Sequence, residues 1–254
     1  EQHWKWEFFM RYVATNTVKS GTILARSIYN NKGQILLSEG VTLKEGLIQR
    51  LSDIGIHYIY IKDSNTEDIC YKEAISRELK TKAIKEIEKV FNQVKFDATV
   101  PNSIVIENAA QNITTLIREL HRELSNNEEL LSLLSDVFTY DNYIFTHSFN
   151  VTLYSLAIGK ELGLPVKELE TLGMGAILHD VGKMKIPTEI LFKQGKLTQE
   201  EFEQIKKHPQ DGFDMLRNVQ TVSLLVAHCA YQHHERLNGS GYPRQIKGDE
   251  IHYF

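Results

Sequence analysis

Apolar residues along this chain alternate in period between two and about 3.6, and the switches mark its elements. From about Val18 to Ile61 the text is strand-like: "GTILARSIY" and "QILLSEG" flank the turn "NNKG" and predict a hairpin. "LKEGLIQRLSDIG" puts Leu43, Leu47, Ile48 and Leu51 at helical spacing, with Gly55 as the stop. "IHYIYIK" then sets Ile56, Tyr58 and Tyr60 against His57, Ile59 and Ile61, as a strand would. Residues 10–63 therefore form a small α+β N-terminal module. Residues 1–9, "EQHWKWEFF", stand ahead of Met10 and are set aside as an appended or native extension.

After Asp63 the pattern turns helical. Ile75, Leu79, Ala83, Ile87, Val90 and Val94 make one stripe, with Lys and Glu on the other face, predicting a helix over 72–96. "FDATVPNS" breaks it, since Pro101 disfavours helix at Val100. Residues 64–100 thus connect the module to an all-α domain over 101–254. That domain holds "IVIENAAQNITTLIRELHREL", "EELLSLLSDVF", "THSFNVTLYSLAIGKELG" and "VKELETLGMGAILHD", and a capping box, Thr198-Gln199-Glu200-Glu201, opens a further helix. No internal repeat is evident. The 72–96 stripe suits its own bundle, a homodimer seam or a signal-transmitting connector; a homodimer through helices is the expectation. Nothing in the small module reveals its ligand, and a protein partner is expected there.

Composition narrows the function. The 254 residues carry a formal charge of −4 and a pI near 6.2, so no broad basic surface invites duplex nucleic acid. A small anion would need a local cationic pocket. Cys70 and Cys229 make no disulfide framework, and no apolar run approaches the roughly 20 residues needed to span a bilayer. No signal peptide is visible either, and a soluble cytoplasmic protein is expected.

Ten histidines are then the informative feature. His3, His57, His121, His228 and His252 read as core or surface residues; His228 lies off the helical face of the pair His233–His234. His147, His179, His208, His233 and His234 fall on four helical segments where a bundle puts apolar side chains. Asp180 adds a carboxylate beside His179 that needs a cation if buried. Imidazole and carboxylate suit Zn, Mn, Fe, Co or Ni rather than Ca or Mg. Five imidazoles and one carboxylate exceed a tetrahedral site, so two metals bridged by Asp180 are inferred. Adjacent histidines diverge by about 100° on a helix, so His233 and His234 suit a cluster that wraps a helix end. Lys183 follows Asp180 by one turn and can meet the same site. In "NGSGYP", glycines let backbone approach a ligand while Pro243 stiffens the loop.

"HDVGKMKIPTEILFKQGKLTQEEFEQIKKHPQDGFDML" followed by "HHERLNGSGYP" resembles the HD-GYP family of the HD phosphohydrolase superfamily, over roughly Phe138 to Phe254. The small module also looks like an N-terminal domain often attached to such enzymes. The resemblance implies an HD-type helical bundle that hydrolyses the bacterial second messenger cyclic di-GMP to pGpG or GMP by attack of a metal-bound hydroxide. It implies His147, His179, Asp180, His208, His233 and His234 as ligands of two divalent transition metals, Fe or Mn first, with Ni, Co or Zn competent. Asp180 and Lys183 are the implied catalytic residues. Lys183 meets the scissile phosphate, and Gly239, Gly241, Tyr242 and Pro243 line the substrate pocket.

Three departures are visible. The family's last aspartate ligand lies beyond Phe254, and Asp249 is not its equivalent, so a further C-terminal segment is expected. Trinuclear members carry a glutamate where Tyr143 stands, which argues for two metals. "KQG" at 193–195 replaces Lys-Pro-Gly, with little consequence expected. Two alternatives stay open: a catalytically impaired cyclic di-GMP receptor, and an HD hydrolase acting on another cyclic dinucleotide.

Overall fold

The computed structural model describes residues 10–29, 35–63, 74–96, 101–126, 143–193 and 195–254. These divide between two compact units, one ending at Ala74 and one beginning at Ile75.

In the first unit, β1 (Met10–Ala14) pairs antiparallel with β4 (Tyr58–Lys62), from Met10↔Lys62 to Ala14↔Tyr58. Two short strands, β2 (Ile28–Tyr29) and β3 (Ile35–Leu37), make a second antiparallel pair. The turn expected at "NNKG" falls outside the described residues. The long strand expected over "GTILARSIY" reduces to β2 plus isolated bridges at Ile23 and Leu24. Leu24 N–H donates to the Val41 carbonyl and Ala25 N–H to that of Tyr60, so the segment changes partner before a ladder can grow. Helix α1 (Glu45–Asp53) ends just ahead of Gly55, whose φ is +84°. Leu24, Ile28, Leu43, Leu51, Ile59 and Ile61 form the core of this unit. Strand β1 is absent from the sequence expectation. It is held by Tyr12, whose ring stacks 5.3 Å from that of Tyr58 and lies tilted 4.8 Å from that of Tyr60, a cross-strand match visible only once the register is known. Burial and its two tyrosine neighbours push the Tyr12 hydroxyl up to about 12.

The second unit is helical. Helix α2 (Arg77–Phe96) packs on α3 (Asn102–Ser125) and α4 (Tyr143–Glu161). Its stripe of Leu79, Ala83, Ile87, Val90, Phe91 and Val94 is buried, so it faces its own bundle rather than standing open as a seam. The helix starts later than the periodicity suggests because Ser76 stops it. Ser76 donates from N and Oγ to the Glu123 carboxylate at 2.7 and 2.8 Å, tying the start of α2 to α3. Helix α3 begins directly after Pro101 and buries nine residues, Val105 to Leu124, at three- and four-residue spacing. Fully burying a large aliphatic side chain is worth about 1.5–3 kcal/mol, and a stripe of this length fixes the scaffold. The segment "EELLSLLSDVF" lies outside the described residues.

Helix α5 (Val166–Leu178) returns antiparallel on α4. A 3-10 turn, Val181–Lys185, follows, then the short helices α6 (Thr188–Leu191) and α7 (Gln199–Ile205). The capping box of α7 forms as expected: Glu201 N–H donates to Thr198 Oγ1, and Thr198 N–H to Glu201 Oε2. Helices α8 (His208–Leu216) and α9 (Leu224–Gln232) pack on one another, and α9 also packs on α5. Among the described residues, no helix is long and apolar enough to cross a membrane.

Candidate metal centre

Each candidate side chain is delivered by a helix end or first turn. His147 lies in the first turns of α4, seated by Phe145, whose ring meets the fully buried Phe91 of α2 edge-on at 5.8 Å. His179 is the residue after α5, Asp180 opens the 3-10 turn, His208 begins α8, and His233 follows α9. The 3-10 turn must lie almost against α8. A Cβ on Gly182 would collide with the His208 carbonyl, and glycine therefore lets Asp180 and His208 converge.

Donor atoms form two groups that share Asp180: His147, His179 and Asp180, and Asp180, His208, His233 and His234, each within 4.8 Å. The carboxylate is divided between them. Oδ2 lies 3.6 Å from His147 Nε2 and 3.3 Å from His179 Nε2, whereas Oδ1 lies 3.3 Å from His208 Nε2 and 3.5 Å from His233 Nε2. Lys183 Nζ donates to Oδ2 at 2.7 Å. The helix end resolves the divergence of adjacent histidines. Past Gln232 the chain leaves the helix, and the rings of His233 and His234 lie 4.2 Å apart.

The tautomers are set by the backbone. Nδ1 of His179, His208 and His233 lies 2.7, 2.6 and 2.9 Å from the carbonyls of Ala176, Ile205 and Ala230, each three residues earlier. Those carbonyls belong to the last turns of α5, α7 and α9, where no intrahelical donor remains. Each Nδ1 therefore carries the proton and each Nε2 presents a lone pair. Nε2 of His179 sits 3.2 Å from that of His147, and Nε2 of His208 sits 3.1 Å from that of His233. Converging lone pairs repel unless a cation lies among them. Donors about 2.1 Å from one ion are roughly 3.0–3.4 Å apart, so this set fits divalent transition metals. The buried Oδ1 of Asp180 accepts no well-directed hydrogen bond and is the atom such an ion would satisfy.

The electrostatics agree. Asp180 is 1% exposed, and burial opposes its ionisation. The surrounding imidazoles, His179 first and then His208 and His233, outweigh burial and hold the carboxyl well below its usual range. Burial first, then neighbouring imidazoles, lowers His147 and pushes His234 down to about 3. Burial also lowers His233. Rings kept neutral are ready to ligate.

The glycine loop meets this cluster. Tyr242 stacks on His234, centroids 4.5 Å apart and planes 19° from parallel, and its N–H donates to the His234 carbonyl. A Cβ on Gly241 would press into the His234 carbonyl and the backbone of Glu235 and Arg236, so only glycine passes there. Gly239 has φ +76°, and the Tyr242–Pro243 bond is cis. Glu235, which the sequence expectation omits, anchors the far side: Oε1 accepts from the N–H groups of Arg244 and Gln245 at 2.6 and 3.2 Å. Its position directly after the histidine pair was the available signal. His228 stays apart, its ring 5.5 Å edge-on to Phe213 and outside both donor groups.

A bundle whose helix ends converge on a shared His-Asp cluster defines the class, and comparisons with known proteins agree. Residues 107–254 match the HD domain family model, and the chain belongs to that family. It is 37% identical over 136 residues to the cyclic di-GMP phosphodiesterase PA4108 of Pseudomonas aeruginosa, covering 54% of this chain and 33% of that one. It is 42% identical over 95 residues to the cyclic di-GMP phosphodiesterase response regulator RpfG of Xanthomonas campestris pv. campestris, covering 37% and 25%. It is also 30% identical over 211 residues to 3'3'-cGAMP-specific phosphodiesterase 2 of Vibrio cholerae, covering 82% and 38%. The matched region thus spans about a quarter to two-fifths of these relatives. In fold the chain resembles Bd1817, described as an HDG"Y"P protein, from Bdellovibrio bacteriovorus, with TM-score 0.56 and 20% identity over 96% of this chain and 83% of that one.

Proposed function

We propose that this protein is a metal-dependent phosphodiesterase that hydrolyses a cyclic dinucleotide, with cyclic di-GMP as its substrate and pGpG or GMP as product. The observation that carries the proposal is the division of one buried carboxylate, Asp180, between two histidine groups, with the Lys183 ammonium beside it. His147 and His179 with Asp180 would hold one divalent ion, and His208, His233 and His234 with Asp180 a second. Bound there, such ions supply Lewis acidity and make water nucleophilic at neutral pH. A phosphodiester is shielded by its own negative charge, and Lys183 adds a cation where charge develops on its oxygens. The Nδ1–H bonds to helix-end carbonyls hold three of the imidazoles in place, so little reorganisation accompanies the reaction. Tyr242, fixed on His234, and the backbone at Gly239, Gly241 and Pro243 border the site that substrate enters. The names of the relatives support the substrate class, and those named for 3'3'-cGAMP supply the competing substrate.

The test is hydrolysis of cyclic di-GMP and 3'3'-cGAMP by the manganese- or iron-loaded protein beside Asp180→Asn. Turnover of cyclic di-GMP that Asp180→Asn abolishes supports the proposal, and turnover of 3'3'-cGAMP alone moves the substrate. Binding of cyclic di-GMP without turnover by the metal-loaded protein makes it a receptor and overturns the enzyme assignment.

A further inference from the structure

Lys206 is not among the residues assigned above. It lies in the turn between α7 and α8, two residues before His208. Its Nζ is 5.2 Å from the ring centroid of Phe202 and 6.0 Å from that of Tyr242. Contact with Phe202, one helical turn earlier on the chain, is ordinary helix-surface packing. Contact with Tyr242 is different, because that ring belongs to the glycine loop and stacks on His234. The ammonium therefore lies within reach of two aromatic rings, one of them stacked on His234 of the candidate metal cluster. Phe202 is 40% exposed, an apolar ring left in water beside the site. Among the described residues, the carboxylate that Lys206 meets is Glu203, whose Oε1 lies 2.8 Å from Nζ, and both side chains are partly exposed. An exposed ion pair of this kind exchanges readily for a phosphate. Lys183, by contrast, is buried on Asp180.

A cyclic dinucleotide carries two phosphates and two bases, and the metal cluster with Lys183 accounts for one phosphate. We propose that Lys206, Phe202 and Tyr242 form a subsite for the other half of the substrate. The ammonium takes the phosphate that is not cleaved, and the two rings offer stacking surfaces for the adjoining base. This rests on the function proposed above and deepens it.

Affinity is measured calorimetrically on the manganese-loaded protein, with a phosphorothioate analogue of cyclic di-GMP and with GMP as the one-phosphate probe. Lys206→Ala should weaken analogue binding about 10-fold or more, the usual scale of a lost charge-assisted contact, while GMP affinity shifts far less. Phe202→Ala should weaken the analogue in the same direction, and Lys206→Arg should retain most of its affinity. Lys207→Ala, which removes an equal charge one residue away, should leave the analogue's Kd unchanged. An unchanged Kd in Lys206→Ala overturns the subsite, as does an equal loss for GMP or an equal loss in Lys207→Ala. If the metal-loaded wild type binds no cyclic dinucleotide, the proposed function itself fails and the subsite falls with it.

Discussion

Nδ1 of His179 lies 2.7 Å from the carbonyl of Ala176, three residues back on the same helix. That short bond uses a carbonyl left over at a helix end to fix a tautomer, and His208 and His233 repeat it with Ile205 and Ala230. Folding of three helix ends therefore points three lone pairs inward before any ion arrives.

Long-range 1H–15N correlation spectra should detect this directly. In chelator-treated protein at pH 8, His179, His208 and His233 should all appear as Nδ1–H tautomers with unprotonated Nε2. An Nε2–H tautomer at any of the three would contradict the assignment.

Metal stoichiometry should follow the division of Asp180. Its Oδ2 serves the His147–His179 side and its Oδ1 the His208–His233 side. Asp180→Ala should therefore strip both ions, whereas His147→Ala, outside the second donor group, should leave about one per chain. Mass spectrometric metal analysis decides it. Equal stoichiometry in the two variants would mean that the carboxylate does not join two sites.

Much of this cluster was legible in the sequence because imidazoles at apolar positions are conspicuous. His147, His179, Asp180, His208, His233 and His234 do come together, and Lys183 does reach Asp180. The helical stripes of α2 and α3 were equally plain, since burial of one face dictates their spacing. Strand β1 was not, because "MRYVA" gains its meaning from Tyr58 and Tyr60, more than forty residues away in sequence. Nor was Glu235, whose role depends on the loop folding back to present the N–H groups of Arg244 and Gln245. The Nδ1–carbonyl bonds needed three helices to end one to three residues before a histidine, and helix ends are the least legible feature of a periodic pattern.

Close packing of α5 on α9 yields a stability prediction. A Cβ added at Gly175 would lie 2.5 Å from Cys229 Sγ and 2.9 Å from its Cβ, too close for either to stay in place. Gly175→Ala should cost about 1–3 kcal/mol, the usual penalty of overpacking a core. Combining it with Cys229→Ala removes the nearer atom and should recover part of that loss, giving a non-additive cycle in urea denaturation. Strict additivity would show that the two helices do not meet there.

Acid should unfold the metal-free chain in a defined window. His234 is pushed down to about 3 in the folded state, by burial first and then by His233 and His208. His147 and His233 are lowered as well, again by burial first. On unfolding each ring returns to about 6.5 and takes up a proton, so the unfolded chain binds more protons as pH falls below that value. Stability from these groups is fully present above about pH 6.5 and is lost as pH falls toward the depressed folded values. Asp180, also depressed, works in the same direction once pH nears the ordinary carboxylate range. The thermal midpoint of chelator-treated protein should therefore drop steadily from pH 7.5 to 4.5, and His234→Ala should flatten that slope. A midpoint that is level across the window, or that rises on acidification, would mean the imidazoles are not held neutral by the fold.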